Sequence, residues 1–476
     1  MPLHPACVEA RMTDRLDDRT RRLLRDPIGP TLVRLAVPTM LVMTVQAAVG
    51  LIETAFVGRL GTDALAGMAL VFPLLMVVQM ISAGAVGGGM LSAVARALGA
   101  GRRAEAEAVA WHAALLGLGF GLLTTALFLP FGPALYAAMG ADGAALGAAR
   151  AYGGVVFAGA VLIWLFNALA AVIRGTGNMT LPAVVTCAGA VLLVPLSPVL
   201  IFGLGPLPGL GIIGGGVAVL AYYAAGTAVF IRHLWAGEGI LRLSRRPPAP
   251  AWGPTREILR VGAASALVSL TTNITIAAAT AFAASAGPAA VAGYGTGARL
   301  EYLLVPLVFG LGAPISAMVG TSIGAGEHAR ALRVAWTGAA IAAGITEAIG
   351  LTAALAPAAF LGLFGAEAGM LETGGRYLRI VGPFYGFAGL GLALYFAAQG
   401  AGRVGWPLVA GLTRLAVSVG GGWLALRVGL GLDGVFLALA LGLAALGTIN
   451  AAAVAAGVWF RVRPAPAPAL AASPGE

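Results

Sequence analysis

The chain contains no lysine, and its 29 basic residues are all arginine. A Gly-rich phosphate loop uses a lysine to reach the phosphates, so nucleotide hydrolysis by that route is excluded. Two cysteines, Cys7 in a charged tail and Cys187 in an apolar run, are too few and too unlike in setting to staple a fold. The four histidines form no cluster with metal-ligand spacing; His112 and His233 sit at the ends of apolar runs, so neither metal nor cofactor is expected. No grouped nucleophile, His or Asp set points to an enzyme. Charged residues fill only 10% of the 476 positions and apolar ones 59%, which excludes an ordinary soluble domain.

What the sequence does have is apolar length. Runs long enough to cross a ~30 Å hydrocarbon core as helix recur from Leu32 almost to the C-terminus. Twelve spans are expected, at 33–57, 66–94, 106–130, 152–173, 180–203, 212–235, 258–284, 296–321, 333–358, 377–399, 405–428 and 435–460. The second and eighth hold enough glycine to predict kinks or re-entrant breaks. Taking alternate connections, 23 arginines, Arg403 and Arg414 among them, fall on one side and five on the other, with Arg299 in or beside a span. The positive-inside bias therefore predicts a multi-pass membrane protein with both termini cytoplasmic. A net charge of +10 then reflects topology and contact with anionic membrane lipids, with no nucleic-acid partner needed. The first thirty residues are charged and lack an apolar core, so no cleavable signal is expected there. Within them, Glu9 to Asp26 reads either as a helix on the inner membrane surface or as a solvated tail.

An internal repeat organises the chain. LGAGRRAEAEAVAW (Leu98 to Trp111) matches IGAGEHARALRVAW (Ile323 to Trp336), and RGTGNMTLP (Arg174 to Pro182) matches QGAGRVGWP (Gln399 to Pro407), both at an offset of 225 residues. GTDALAGM (Gly61 to Met68) faces GPAAVAGY (Gly287 to Tyr294) at 226. The fold class expected is an all-α integral membrane protein of twelve transmembrane helices in two pseudo-symmetric six-helix lobes. Six is even, so the repeats are parallel, related by an axis along the membrane normal. The divisions are a cytoplasmic tail at 1–31, an N-terminal lobe at 32–240, a cytoplasmic linker at 241–257, a C-terminal lobe at 258–460 and a tail at 461–476. Two such lobes meeting at the centre are the build of an alternating-access transporter.

The repeat turns LGAGRRAEA and VGTSIGAGEHARA, the run LAVPTM…ETAFVGRLGTDALAG, the IRGTGNMTLP loop, PLSPVLIFG and GARLEYLLVPLVFGLG together resemble the multidrug and toxic compound extrusion (MATE) family. The likeness covers about Leu32 to Phe460 and is nearer the bacterial DinF type than the NorM type. It implies a V-shaped antiporter, expected as a monomer, that expels organic cations or drugs against inward H⁺ or Na⁺.

Ionisable groups inside spans cost about 2.5–3.5 kcal/mol each at a helix centre on insertion scales, so they are functional candidates. Glu53 is the acid of the first span. Protonated, it is cheap to bury; ionised, it attracts a cationic substrate or Na⁺. The plain alternative is a carboxylate that snorkels to water or pairs with Arg59. The resemblance supports the functional role, because the family's first-span acid falls at this position, and it singles out Asn167 as the fourth-span polar residue of the cation site. Where the family's fifth span commonly carries Asn and Asp, this chain has Leu193 and Ser197; where NorM-like members carry a seventh-span glutamate, it has Thr272 and Asn273. The cation-coupling set expected is therefore Glu53, Asn167 and Ser197, one acid with neutral oxygens, which favours H⁺ over Na⁺. Glu301 and Arg299 are two residues apart and cannot face each other on a helix; Glu301 serves either the C-terminal lobe's chemistry or structural pairing, and Glu347 is open between the same two. The substrate-binding candidates are Glu301, Gln46, Asn273, Tyr294 and Tyr385. With Tyr302, Phe309, Phe384 and Tyr395, the tyrosines either hold a flat cation or belong to the core. A lipid-linked oligosaccharide flippase of the same superfamily is the alternative, and it would require an arginine-rich cleft, for which Arg299 is the one candidate.

Overall fold

The computed structural model describes residues 17–244, 249, 251–365 and 367–459. Cys7, Arg245 and Arg246 fall outside it, as does the side chain of Tyr302. Among the described residues, eleven helices are long and apolar enough to cross a membrane, and a bent pair supplies the twelfth span. In order they are Ile28–Gly58, Thr62–Gly99, Arg103–Ala138, the pair Gly143–Ala158 and Ala160–Gly175, Thr180–Phe202, Ile212–Ala236, Trp252–Ala284, Pro288–Gly324, His328–Leu355, Ala368–Gly400, Gly405–Arg427 and Gly431–Ala455. Helices satisfy every backbone group within the segment, which is why this composition folds in no other regular way inside lipid. Among the described residues, one departure from all-α lies between the fifth and sixth spans. There Gly203–Leu204 pairs antiparallel with Leu207–Pro208 around a Gly-Pro turn.

The glycine-rich spans are not where the chain breaks. The eighth runs unbroken as Pro288–Gly324, and the second is only widened by a π-helical turn at Met80–Val86. The breaks fall in the fourth span, bent by 47° at Gly159, and in the tenth, where a 3₁₀ turn at Gly382–Phe384 separates Ala368–Val381 from Tyr385–Gly400. Gly159 and Phe384 are one repeat apart. Each break is repaired by a polar side chain from a neighbouring span. Thr125 donates to the Phe157 carbonyl at 2.7 Å, and Glu347 accepts from the Gly386 amide at 2.6 Å. Backbone groups freed in a dry interior need such partners.

The repeat motif L/I-Gly-Ala-Gly acquires a mechanism at the end of the bundle that bears residue 17, called proximal below. Its second glycine, Gly101 or Gly326, adopts the left-handed conformation (φ 69° and 78°) that lets the chain leave the helix. The amides of Arg102 and Glu327 then bond the carbonyls of Ala97 and Ser322, both at 2.9 Å, closing the helix ends. Its first glycine lets the lobes touch. A Cβ on Gly99 would lie 2.0 Å from the Thr321 oxygen, and one on Gly324 would lie 2.0 Å from the Arg96 oxygen. The two contacts exchange under the 225-residue offset, so the pseudo-twofold axis passes between the second and eighth spans. Arg96 completes the seal, donating to Glu257 at 2.7 Å and to the Gly400 carbonyl at 2.6 Å.

The short helix Asp18–Arg25 is capped by Asp17 and docks instead of lying free. Arg330, at the start of the ninth span, donates to the Leu23 and Asp26 carbonyls at 2.9 and 2.7 Å. Leu23 also packs on Gly177 of the fourth-to-fifth loop. This helix therefore touches both repeats.

Candidate functional site

Glu53 sits near the distal end of the first span and is 5% exposed. Ser197, wholly buried between Pro195 and Pro198 of the fifth span, donates to its Oε2 at 2.9 Å. The sixth span approaches with Gly215, where a Cβ would lie 3.9 Å from the same oxygen. Oε1 is buried with no hydrogen-bond partner. A carboxylate offers about four acceptor directions, and here a single donor answers one of them. Neither water-facing snorkelling nor pairing with Arg59 describes it. The arrangement is an incompletely satisfied acid whose coordination a proton or a cation would finish.

Asn167 lies in a second cluster of the same lobe. Its Nδ2 donates to Gln79 Oε1 at 2.7 Å and to Ser82 Oγ, in the π-helical turn, at 2.8 Å. Gln79 in turn donates to the Tyr223 hydroxyl. No hydrogen bond joins Asn167 to Glu53. Tyr152 of the fourth span is buried in the core of the same lobe. The expected trio is thus a hydrogen-bonded pair, Glu53 with Ser197, and Asn167 in a separate cluster.

Three of the substrate candidates converge inside the C-terminal half. Glu301 accepts from the Tyr377 hydroxyl at 2.6 Å, and Tyr377 and Tyr385 hydroxyls stand 3.4 Å apart. Tyr294 meets the Tyr377 ring edge-on at 5.3 Å. These tyrosines are buried in a core cluster, beside a small chamber lined by Thr275, Tyr294, Glu301, Tyr377, Arg414 and Ser418 among others. Arg299 turns the other way, over the Phe364 ring at 5.4 Å. Gln46 and Asn273 are exposed; Asn273 bonds its own helix at the Ser269 carbonyl and reaches Met80 of the other repeat. Phe309, Phe384 and Tyr395 meet neighbouring rings of the C-terminal half edge-on or tilted. Arg414, counted above with the proximal loops, lies inside the eleventh span and lines the chamber. A hydropathy window cannot see this, because one arginine among apolar residues barely lowers the mean.

Tyr377 and Arg414 were missed as candidates. A signal for Tyr377 existed in the repeat itself: its partner at an offset of 225 residues is also a tyrosine, Tyr152, and Tyr377 stands beside Glu301. His112, by contrast, is a satisfied interfacial side chain, accepting the Ala251 amide at 2.9 Å.

A family model of the MatE domain matches residues 38–199 and 264–424, one copy in each half. The chain belongs to the MATE transporter family. It is 30% identical over 316 residues to the FAD transporter of Shewanella oneidensis, which covers 65% of this chain and 68% of that one. It is 26% identical over 383 residues to the probable multidrug resistance protein NorM of Thermotoga maritima, covering 80% and 82%. A crystal structure of a MATE transporter in the bent conformation superposes with a TM-score of 0.85 at 26% identity, over 93% of this chain and 98% of that one. The fold is the family's two-lobe, twelve-helix build, and the chain is a transporter, not an enzyme.

Proposed function

We propose that the chain is a secondary active exporter of organic cations or drugs that exchanges them for inward H⁺ by alternating access, with Glu53 as the coupling carboxylate. The observation that carries this reading is the buried Glu53 carboxylate with Oε1 unpartnered and Ser197 as its donor. The multidrug name of the Thermotoga relative supports the substrate class. A hard cation such as Na⁺ would call for more oxygens than Glu53 and Ser197 supply. In this reading the parts 32–240 and 258–460 rock about the linker 241–257, both termini lie in the cytoplasm of a bacterial inner membrane, and the protein works as a monomer. Asn167 serves the coupling site from its own cluster with Gln79 and Ser82, while Gln46 and Asn273 meet substrate in the cleft. The flippase reading gains nothing from Arg299, which is engaged with Phe364.

The test is efflux of a fluorescent cation from vesicles under an imposed pH or Na⁺ gradient. A pH gradient is expected to drive the wild type, and Glu53→Gln to fall to background. Undiminished gradient-driven efflux by Glu53→Gln would remove the coupling role; dependence on a Na⁺ gradient alone would replace H⁺.

A further inference from the structure

The helix Asp18–Arg25 has work that neither the coupling carboxylate nor the membrane spans explain. Its eight residues are too few to stay helical alone in water, so the helix owes its fold to its docking. Thr20, Leu23 and Leu24 are buried beneath it, while Arg19, Arg21 and Arg22 face outward. On one side stands Arg330 of the ninth span, itself buried. It donates from Nε and Nη2 to the Leu23 carbonyl at 3.1 and 2.9 Å, and from Nη2 to the Asp26 carbonyl at 2.7 Å. A guanidinium at the carbonyl end of a helix also meets the negative end of its dipole. On the other side the Leu23 side chain lies against Gly177, in the turn between the fourth and fifth spans, where a Cβ would fall 2.7 Å from its Cδ1 and 3.4 Å from its Cγ. Leu23 thus joins the two halves, its carbonyl held by the C-terminal one and its side chain seated on the N-terminal one.

The two holds are unequal. The chain continues through Pro27 into the first span, whose Leu32 and Ala36 share a core cluster with Leu23 and with residues of the eighth, ninth and tenth spans. Farther along, Met40 fills the place a side chain on Gly310 of the eighth span would take, its Cγ 2.4 Å from that Cβ. Charge-assisted hydrogen bonds and packing therefore fix the helix and the start of the first span to the C-terminal half, whereas the seat on Gly177 is an apolar contact with a turn. If the halves part at this end, the seat on Gly177 is the hold that gives way.

We propose that the Asp18–Arg25 helix is a latch of the transport cycle. Carried by the C-terminal half through Arg330, it keeps the proximal end shut by seating Leu23 on Gly177, and proximal opening empties that seat while Arg330 keeps its grip. The proposal rests on the alternating-access reading of the chain and adds to it the element that sets how often the proximal end opens.

The test is a distance measurement between spin labels on the proximal end of the full chain in lipid nanodiscs. Labels go on Ala104→Cys and Gly405→Cys, one in each half, with Cys7→Ser and Cys187→Ser. Both sites are exposed, and a Cβ on Gly405 meets nothing within 4 Å. Leu23→Ala keeps the carbonyl for Arg330 but empties the seat, and should raise the ratio of separated to close labels about tenfold, as loss of one buried leucine contact does. Leu23→Asp should raise it further. Arg330→Gln should raise it too, and Arg330→Lys should return part of the way to the wild type. Arg22→Ala, on the outward face, should leave it unchanged. A packing residue without a latching role would lower the melting temperature and leave the distances alone. Distances like the wild type's in both Leu23 variants, or an equal shift in Arg22→Ala, would overturn the proposal. If Arg330→Gln fails to fold, the Leu23 variants decide. The distances are read without substrate or gradient, so a shift in a chain that exports no cation would keep the latch and remove the exporter, and cation export without a shift would do the reverse.

Discussion

The Glu347 carboxylate accepts the Gly386 amide at 2.6 Å, whereas Glu53 receives one hydroxyl and keeps an oxygen bare. Two acids in apolar spans therefore have different work. Glu347 answers a backbone donor released by the break in the tenth span, so Glu347→Gln, which still offers an oxygen, should fold and transport like the wild type. Glu347→Leu leaves that donor unmet and should lower stability by about 1–3 kcal/mol, read from thermal melting in detergent. Transport loss in a well-folded Glu347→Gln would show a chemical role. Ser197→Ala removes the donor to Glu53 at a cost of about 0.5–1.5 kcal/mol and should shift the pH dependence of efflux without abolishing it. An efflux profile identical to the wild type's would place Ser197 outside the coupling site.

The helices carry a second kind of information, in where they bend and where they touch. Gly99 and Gly324 differ from most of the chain's glycines because a side chain on either would strike backbone of the facing helix. Gly99→Ala and Gly324→Ala should each destabilise the protein by about 1–3 kcal/mol through overpacking, and by similar amounts, since the contacts are symmetry partners. Gly50→Ala, which meets nothing within 4 Å, should be neutral or slightly stabilising for a helix interior. Equal melting temperatures for all three would dispose of the close crossing. At the same end, the Asp18–Arg25 helix is held by Arg330 and rests on Gly177. It straps the repeats together, which the charge pattern of its sequence could not distinguish from a surface helix.

Over the whole molecule, the closed proximal end rests on few polar groups. Arg96 ties the second span to Glu257 and to the Gly400 carbonyl, and Gln399 reaches across to the Gly84 carbonyl and to Ser265. Arg96→Gln should favour opening there. With Cys7 and Cys187 both replaced by Ser, a cysteine placed at Ser265, buried in this state, should label faster with a thiol reagent in the Arg96→Gln background. Unchanged labelling would show that the apolar contacts alone hold the seal.

The two-lobe architecture was legible because apolar length fixes span number, and a duplicated sequence obliges the halves to fold alike; the 225-residue offset reappears as paired glycine contacts. Glu53 was legible for a related reason, since a carboxylate in an apolar run is costly and therefore noticeable. The positions of the breaks were not: glycine marks where a helix can yield, but Thr125 and Glu347, distant in sequence, decide where a broken backbone is satisfied. Nor could the chain alone say that Arg414 enters a chamber, that Asn167 stands apart from Glu53, or that Tyr377 attends Glu301. Composition and repeat determined the membrane, the helices and their pairing, because those follow from burial of apolar length and from identity between halves. Which polar groups meet was decided only by the tertiary structure, because hydrogen bonds depend on ångström distances between helices that hydropathy does not encode.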